Sequence, residues 1–451
     1  MASIGLAVAV ILVLILLGMS VPWCFLWGSL VYVFTTGAST GSFVSTSFYS
    51  LVSTSTLAIP LFMAAGVLLE KSGIARTLID LAEKILHKFK GGMGATIPLV
   101  ACFFGALSGS GTATVTTLSS MMAPRLRELG WDKRYLAAFI AACGPLGYMI
   151  PPNMNAIIYA NVSSASVSGL FLATVIPGIM WAALYLLVNR LTYHRWYDSK
   201  KAGRLDPESD TIIPITEEER IAEENKTKRW SKVLMNAIPA FLMPVIIMGG
   251  IYSGTFTATE AGGIGCLYAV IIGVFVYRTL KGKSVFDAFV GTGSSLGSFL
   301  IMFPVTLIFS RILVTNGVPD MITGLITGIS DNKFVILFIL DIVLIFAGCF
   351  LDAGVLLLVL TPLLLPTATS IGMTQIQLGV VMFVAVGVGT ITPPMAMNLF
   401  ITGKACNVSI RDMMAPLWPF LVFCALPILL LVTYVPELSL WLPRLVIGTV
   451  S

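Results

Sequence analysis

No Asp, Glu, Lys or Arg occurs before Glu70, so the first 69 residues carry no side-chain charge at all. A stretch of that length cannot be packed into a water-soluble domain, because it has too little polar surface to cover an apolar core. The rest of the chain continues the pattern. Of its 451 residues, 11% are charged and 57% are hydrophobic, where a soluble domain carries about 25% charged residues. Lipid is therefore the solvent for most of the sequence. The first residues lack the basic n-region of a secretory signal, so the N-terminus reads as a first membrane helix that stays.

The same composition narrows the chemistry. The net charge of +5 comes from Lys and Arg between apolar segments. That is the signature of cytoplasmic loops and gives no nucleic-acid-binding face. The seven cysteines are scattered without a CxxC, and the two histidines, His87 and His194, lie in polar flanks. Neither disulfides nor a transition-metal site is expected, and a membrane enzyme would lack its acid, base and metal groups.

About 20 apolar residues cross a bilayer as a helix. Ten spans are predicted, at roughly 3–18, 20–36, 50–70, 135–162, 169–192, 233–254, 257–277, 286–314, 376–403 and 412–434. The polar stretch 193–232 carries both charge signs and is too short to bury a core of its own. It reads as a cytoplasmic linker between halves 1–192 and 233–451.

The halves share landmarks. Pro124/Pro366, Gly130/Gly372, Gly147/Gly389, Pro151/Pro393, Pro152/Pro394 and Pro177/Pro419 each lie 242 residues apart. Gly and Pro dictate backbone geometry, so repeated placement implies repeated architecture. Segment 71–90 carries Lys71, Arg76, Lys84, Lys88 and Lys90, whereas its counterpart 315–333 has only Lys333. Segment 125–134 carries Arg125, Arg127, Lys133 and Arg134, whereas 367–376 has no charge. Positive charge inside then gives the two repeats opposite orientations. Inverted repeats are typical of secondary transporters, with the substrate at mid-membrane between them. Both termini are expected on the periplasmic side.

The uncharged stretch 91–124 has basic residues at both ends, so it must enter and leave on one face and turn within the membrane. Gly105 to Gly111 (GALSGSG) is the predicted turn. Stretch 334–366 is the mirror case, turning between Gly348 and Gly354 around Asp352. The following spans, 135–162 and 376–403, are broken at GYMIPPN (147–153) and GTITPP (389–394). Irregular backbone at this depth survives only inside protein or against a wet cavity. Freed carbonyls and hydroxyls suit a hard cation such as Na⁺, and half-helix N-termini suit an anion. Two pseudo-symmetric cation sites are therefore predicted, each where a hairpin tip meets the broken span of its own repeat, with an anionic substrate between them. The expected ion contacts are Ser108, Gly109, Ser110, Gly147, Pro151, Asp352, Gly354, Gly389 and Thr392. The expected substrate contacts are Ser108, Thr112, Asn153, Asn155, Asp352, Thr390 and Asn398.

At these residues the chain resembles the large membrane subunit of tripartite ATP-independent periplasmic (TRAP) transporters, the DctM-like family. The resemblance is carried by IPLFMAAG (59–66), the GALSGSG tip, IPP (150–152), TATEAG (257–262), FLD (350–352) and ITPPMAMNLF (391–400). It implies an all-α elevator fold of the ion-transporter superfamily and Na⁺-driven import of organic acids in a bacterial inner membrane. It also implies two separate partners, a small four-helix membrane subunit (DctQ-like) and a periplasmic substrate-binding protein (DctP-like). Ser108 and Asp352 match hairpin-tip residues tied to transport in that family, while Asn153 stands where its members usually carry Ser.

Four further readings complete the expectations. Asp352 is read as an ion or substrate contact, or as a cap on a half-helix N-terminus. Glu260 is read as a helix-start or hinge residue rather than a substrate contact. Arg311 and Asp341 are read as an intramembrane ion pair. Segments 74–89 and 319–329 are read as amphipathic arms lying at the interface.

Overall fold

A computed structural model of the chain describes residues 2–52, 54–86, 92–198, 201–206, 209–214 and 230–448. The end of the first expected arm (87–90), the first residue of the hairpin (91) and loop residues 215–229 lie outside these. Lipid offers backbone N–H and C=O groups no partner, so each apolar segment satisfies its own by forming a helix.

The first half comprises α1 (Ala2–Leu16), α2 (Val21–Thr36), α3 (Gly41–Leu51), α4 (Thr54–Lys71), α5 (Ile74–Leu86), α6 (Gly92–Ser108), α7 (Gly111–Glu128), α8 (Lys133–Cys143), α9 (Leu146–Met149), α10 (Met154–Ser163) and α11 (Val167–Thr192). The polar loop contributes a two-stranded antiparallel hairpin, β1 (Gly203–Asp206) and β2 (Thr211–Pro214). The second half comprises α12 (Trp230–Tyr252), α13 (Ala258–Ile271), α14 (Gly282–Thr315), α15 (Val318–Ile329), α16 (Lys333–Phe350), α17 (Ala353–Ser370), α18 (Gln375–Thr390), α19 (Met397–Cys406), α20 (Ile410–Phe420), α21 (Leu426–Tyr434) and α22 (Glu437–Ile447).

Among the described residues, six helices are long and apolar enough to cross a bilayer, or up to nine spans if each sharply bent pair counts as one. The difference from the ten predicted has two sources. Helices α1 and α2, at 15 and 16 residues, fall short individually, and the 376–403 span is cut. Conversely, both arms of the second hairpin, α16 and α17, are long enough to count.

The repeat is visible in helix starts. Those of α7 and α17 (Gly111, Ala353) and of α8 and α18 (Lys133, Gln375) lie 242 residues apart, and those of α10 and α19 (Met154, Met397) lie 243 apart. Arms α5 and α15 leave the preceding helices at matching bends of 67° and 64°.

Packing sets the direction of each repeat. A Cβ on Gly94, at the start of α6, would strike the Trp131 ring, just past the end of α7, so the first hairpin begins and ends in one place. The polar loop is there too, since Asp198 N donates to Gly130 O at 3.1 Å. The span from α8 to α10 runs away from this point to the far end, where Tyr159 Oη donates to the Gln375 carbonyl at 2.6 Å. The base of the second hairpin lies there: Tyr434 Oη donates to Phe334 O at 3.0 Å, and Thr323 bonds Thr367 at 2.7 Å. From there α18 and α19 return to the polar loop, where Asn407 Nδ2 donates to Asp210 at 3.4 Å. The two hairpins thus enter from opposite ends.

The main core runs through these elements and includes the stacked rings of Phe139 and Phe420. A separate apolar cluster joins α1, α2 and α14 to Val355, Val359 and Leu363 of α17.

Candidate functional site

The first hairpin reverses at Gly109, whose φ of +61° is a left-handed conformation that glycine adopts without strain. Helix α6 continues through Gly105 to Ser108, so the reversal is tighter than the predicted 105–111 turn. Ser110 caps α7, its side chain accepting from Ala113 N at 3.4 Å, and its hydroxyl bonds Thr112 Oγ1 at 3.1 Å. Ser108 Oγ accepts from Ser110 N at 3.4 Å. The tip meets the break of its own repeat: Met154 N donates to Gly109 O at 3.4 Å, and a Cβ on Gly109 would lie 3.1 Å from Pro152 O. The other threonines turn elsewhere. Thr114 and Thr116 donate to carbonyls four residues back, and Thr117 donates to Glu70 at 3.3 Å.

The second tip is the Leu351–Asp352 link between α16 and α17. Asp352 caps α17, accepting from Gly354 N at 3.1 Å, and its side chain is open to the space beyond. Capping position pairs Asp352 with Ser110, 242 residues earlier, rather than with Ser108. In both repeats the hairpin is pressed against the broken span through paired glycines. A Cβ on Gly105 would lie 2.6 Å from Gly147 Cα, and one on Gly389 would lie 2.6 Å from Gly348 Cα. Gly147 and Gly389 therefore serve close packing, and neither borders the cavity described below.

Past the breaks, where Pro151–Pro152 and Pro393–Pro394 are both cis, the repeats diverge. Asn153 caps α10, accepting from Ala156 N at 2.8 Å, whereas α19 begins after Ala396 with no side-chain cap. Asn398 Nδ2 donates to Thr390 Oγ1 at 3.2 Å and to Ala141 O at 3.5 Å, tying α19 to α8.

Both tips and the starts of α10 and α19 enclose a cavity of about 400 Å³. Of the predicted site residues, Gly109, Ser110, Thr112, Asn155, Asp352, Gly354, Thr390 and Asn398 line it. Ser108, Gly147, Pro151, Asn153, Gly389 and Thr392 do not. The Thr392 hydroxyl is turned back to Val388 O at 2.6 Å. Sequence reasoning missed Tyr148, Ile158, Phe350, Met395, Met397, Phe400 and Ile401, which supply most of the apolar wall. Their only sequence signal is proximity to the breaks, because apolar residues in a membrane helix look alike whether they face lipid or ligand. Three buried polar atoms here have no hydrogen-bond partner: Tyr148 Oη, Asn153 Nδ2 and Asn155 Nδ2. Asp352 is the one charged lining residue. Among the described residues, no cluster of three His, Cys, Asp or Glu side chains is placed to hold a metal. The oxygens at the tips are hydroxyl, carbonyl and carboxylate, a donor set that suits a hard cation.

Two other expectations meet the structure differently. Arg311 and Asp341 do not pair: Arg311 is exposed, whereas buried Asp341 accepts from the Thr433 hydroxyl at 2.9 Å. The pattern of isolated charges in apolar spans does not reveal which helix face each occupies. Glu260 does sit at a helix start, closing a reciprocal cap with Thr257 at the head of α13.

The sequence matches the family described as "Tripartite ATP-independent periplasmic transporter, DctM component" over residues 8–438. The chain belongs to the DctM family. It is a large permease subunit of the TRAP type, a multi-pass membrane transporter component and not a member of an enzyme family. It is 30% identical to the C4-dicarboxylate TRAP transporter large permease protein DctM of Pseudomonas aeruginosa, over 86% of each chain. It is 28% identical to the sialic acid TRAP transporter large permease protein SiaM of Vibrio cholerae, over 96% of this chain and 97% of the relative. The isethionate TRAP transporter permease protein DctMQ of Oleidesulfovibrio alaskensis is 31% identical over 88% of this chain, which spans only 59% of that longer protein. Among solved structures, the Alcanivorax borkumensis YdaH transporter shares the fold, with a TM-score of 0.60 at 14% identity over 88% of this chain and 89% of that one.

Proposed function

We propose that this DctM-family permease imports a small organic anion coupled to Na⁺, working with a periplasmic substrate-binding protein and a small four-helix membrane subunit in a bacterial inner membrane. One observation carries the reading. The two hairpin tips and the half-helices beyond both breaks converge on a single cavity whose one charged side chain is Asp352. A carboxylate there repels an incoming anion until a cation neutralises it, since charges interact strongly in a low-dielectric site. Na⁺ held by the tip oxygens would therefore bind first, with Ser110 and Asp352 supplying oxygen ligands and Ser108 shaping the tip. The donors left over, among them Asn155 Nδ2 and Tyr148 Oη, then face the anion.

Transport follows as an elevator motion, in which the hairpins and broken spans slide past a scaffold that includes α1, α2 and α14 while arms α5 and α15 brace them. The support is geometric: α1, α2 and α14 meet the moving part through an apolar cluster, which has no directional bonds to break.

Reconstitution into proteoliposomes tests this. Substrate loaded on the binding protein should accumulate only with an inward Na⁺ gradient and with both membrane subunits present. Accumulation unaffected by replacing Na⁺ with choline would overturn the coupling. Accumulation without any binding protein would instead make the chain a stand-alone Na⁺/organic anion symporter.

A further inference from the structure

Resting on the reading of this cavity as the anion site, we infer that the cargo is a monocarboxylate with an apolar body, rather than a dicarboxylate or a polyhydroxylated sugar acid. The charge inventory comes first. No Lys, Arg or His lines the cavity, and its one carboxyl side chain is that of Asp352. Beyond whatever Na⁺ brings, the protein compensates negative charge only with neutral donors. Two of these are buried and unpartnered: Asn155 Nδ2 on a side chain 7% exposed, and Tyr148 Oη on one 5% exposed. Asn155 also stands in the first turn of α10, at the positive end of the helix dipole, where the Met154 and Ala156 amides are already bonded and its own side-chain amide is the donor left for a negative group. That is provision for one carboxylate.

The remaining wall is of another kind. Ile158, Phe350, Met397, Phe400 and Ile401 present hydrocarbon, ring and thioether surface. A second carboxylate placed there would be desolvated without a partner, and next to Asp352 it would also be repelled. Sugar hydroxyls fare little better, because each buried hydroxyl needs a partner. Ser110 and Thr390 are already engaged, with Thr112 and with Asn398 and Gly387. An alkyl or aryl body instead gains by displacing water from this wall.

The full chain in lipid nanodiscs provides the test, because a ligand that binds the folded protein raises its unfolding temperature. The probes are 4-methylpentanoate, phenylacetate, succinate and gluconate, each titrated in NaCl and in choline chloride. In NaCl the two apolar monocarboxylates should stabilise the protein with a Kd at least about tenfold tighter than the other two, a difference of about 1.4 kcal/mol. Asn155→Ala should weaken every carboxylate, whereas Phe400→Ala, at an exposed position, should narrow the gap between phenylacetate and succinate. Succinate or gluconate as the tightest Na⁺-dependent ligand would overturn the inferred class and leave organic-anion transport standing. No Na⁺-dependent stabilisation by any of the four would remove both readings.

Discussion

Asp352 does two things at once. It caps α17 through the Gly354 amide, and it leaves its remaining oxygen capacity facing the cavity. The cap and contact readings that the sequence set against each other are therefore compatible in one side chain. Asp352→Ala should abolish Na⁺-driven uptake with membrane expression retained. Wild-type uptake would remove the proposed ion site. Ser108 is a different case: its hydroxyl is spent within the tip, and it lies outside the cavity wall. Ser108→Ala should therefore raise the Na⁺ concentration needed for half-maximal uptake while leaving substrate affinity at saturating Na⁺ unchanged. The paired glycines give a prediction about stability. A Cβ at Gly105 or Gly389 meets backbone, which cannot step aside as a side chain would. Gly105→Ala and Gly389→Ala should each cost about 1–3 kcal/mol, read as a lowered thermal unfolding midpoint of the detergent-solubilised protein. Gly249→Ala, with open space around it, is the control.

At the scale of elements, the polar loop is more than a tether. Asp210, just before β2, receives hydrogen bonds from Arg127 at the end of α7, Lys133 at the start of α8 and Asn407 after α19. Glu128 also accepts from Leu205 N of β1 at 3.3 Å. The loop thus clamps the base of the first hairpin to both broken spans. The Arg127 guanidinium, with Lys133 behind it, holds the Asp210 carboxyl down to about 2 from its ordinary 3.8. A depressed carboxyl contributes stability above its unfolded value, and that contribution is lost as pH falls through the folded one. The clamp should accordingly be intact from neutral pH to about pH 4 and release only near pH 2. Limited proteolysis should find the loop equally protected at pH 7 and pH 5, and more readily cut in Asp210→Asn at pH 7. Equal protection in the variant would mean that the ion pairs do not hold the loop.

For the whole molecule, the two hairpin bases lie at opposite ends, joined by broken spans that run in opposite directions. If the charged end is cytoplasmic, a membrane-impermeant thiol reagent added from the periplasm should label a cysteine at position 370 and miss one at position 128, in a background lacking the native cysteines. The reverse pattern would invert the topology and with it the direction of import. Much of this architecture was legible in the sequence because its determinants are local. Uncharged length decides what enters lipid, Gly and Pro decide where helices break, and Lys and Arg record the side. The turn at Gly109 lies inside the predicted 105–111, and a helix breaks at each Pro-Pro pair as expected, since each feature is imposed by the residue that stands there.

What the sequence settled by itself is the solvent, the helical class, the repeat and the breaks, each of which follows from side-chain chemistry within a few residues of where it acts. Only the tertiary structure decided which polar groups are satisfied and which face a ligand. Gly147 and Gly389 became packing contacts, Arg311 and Asp341 stayed apart, and Asn155 and Tyr148 kept unpaired donors. A partner from a distant helix fixes each of those outcomes, and in a bundle where most residues are apolar no periodicity announces which helix will supply it.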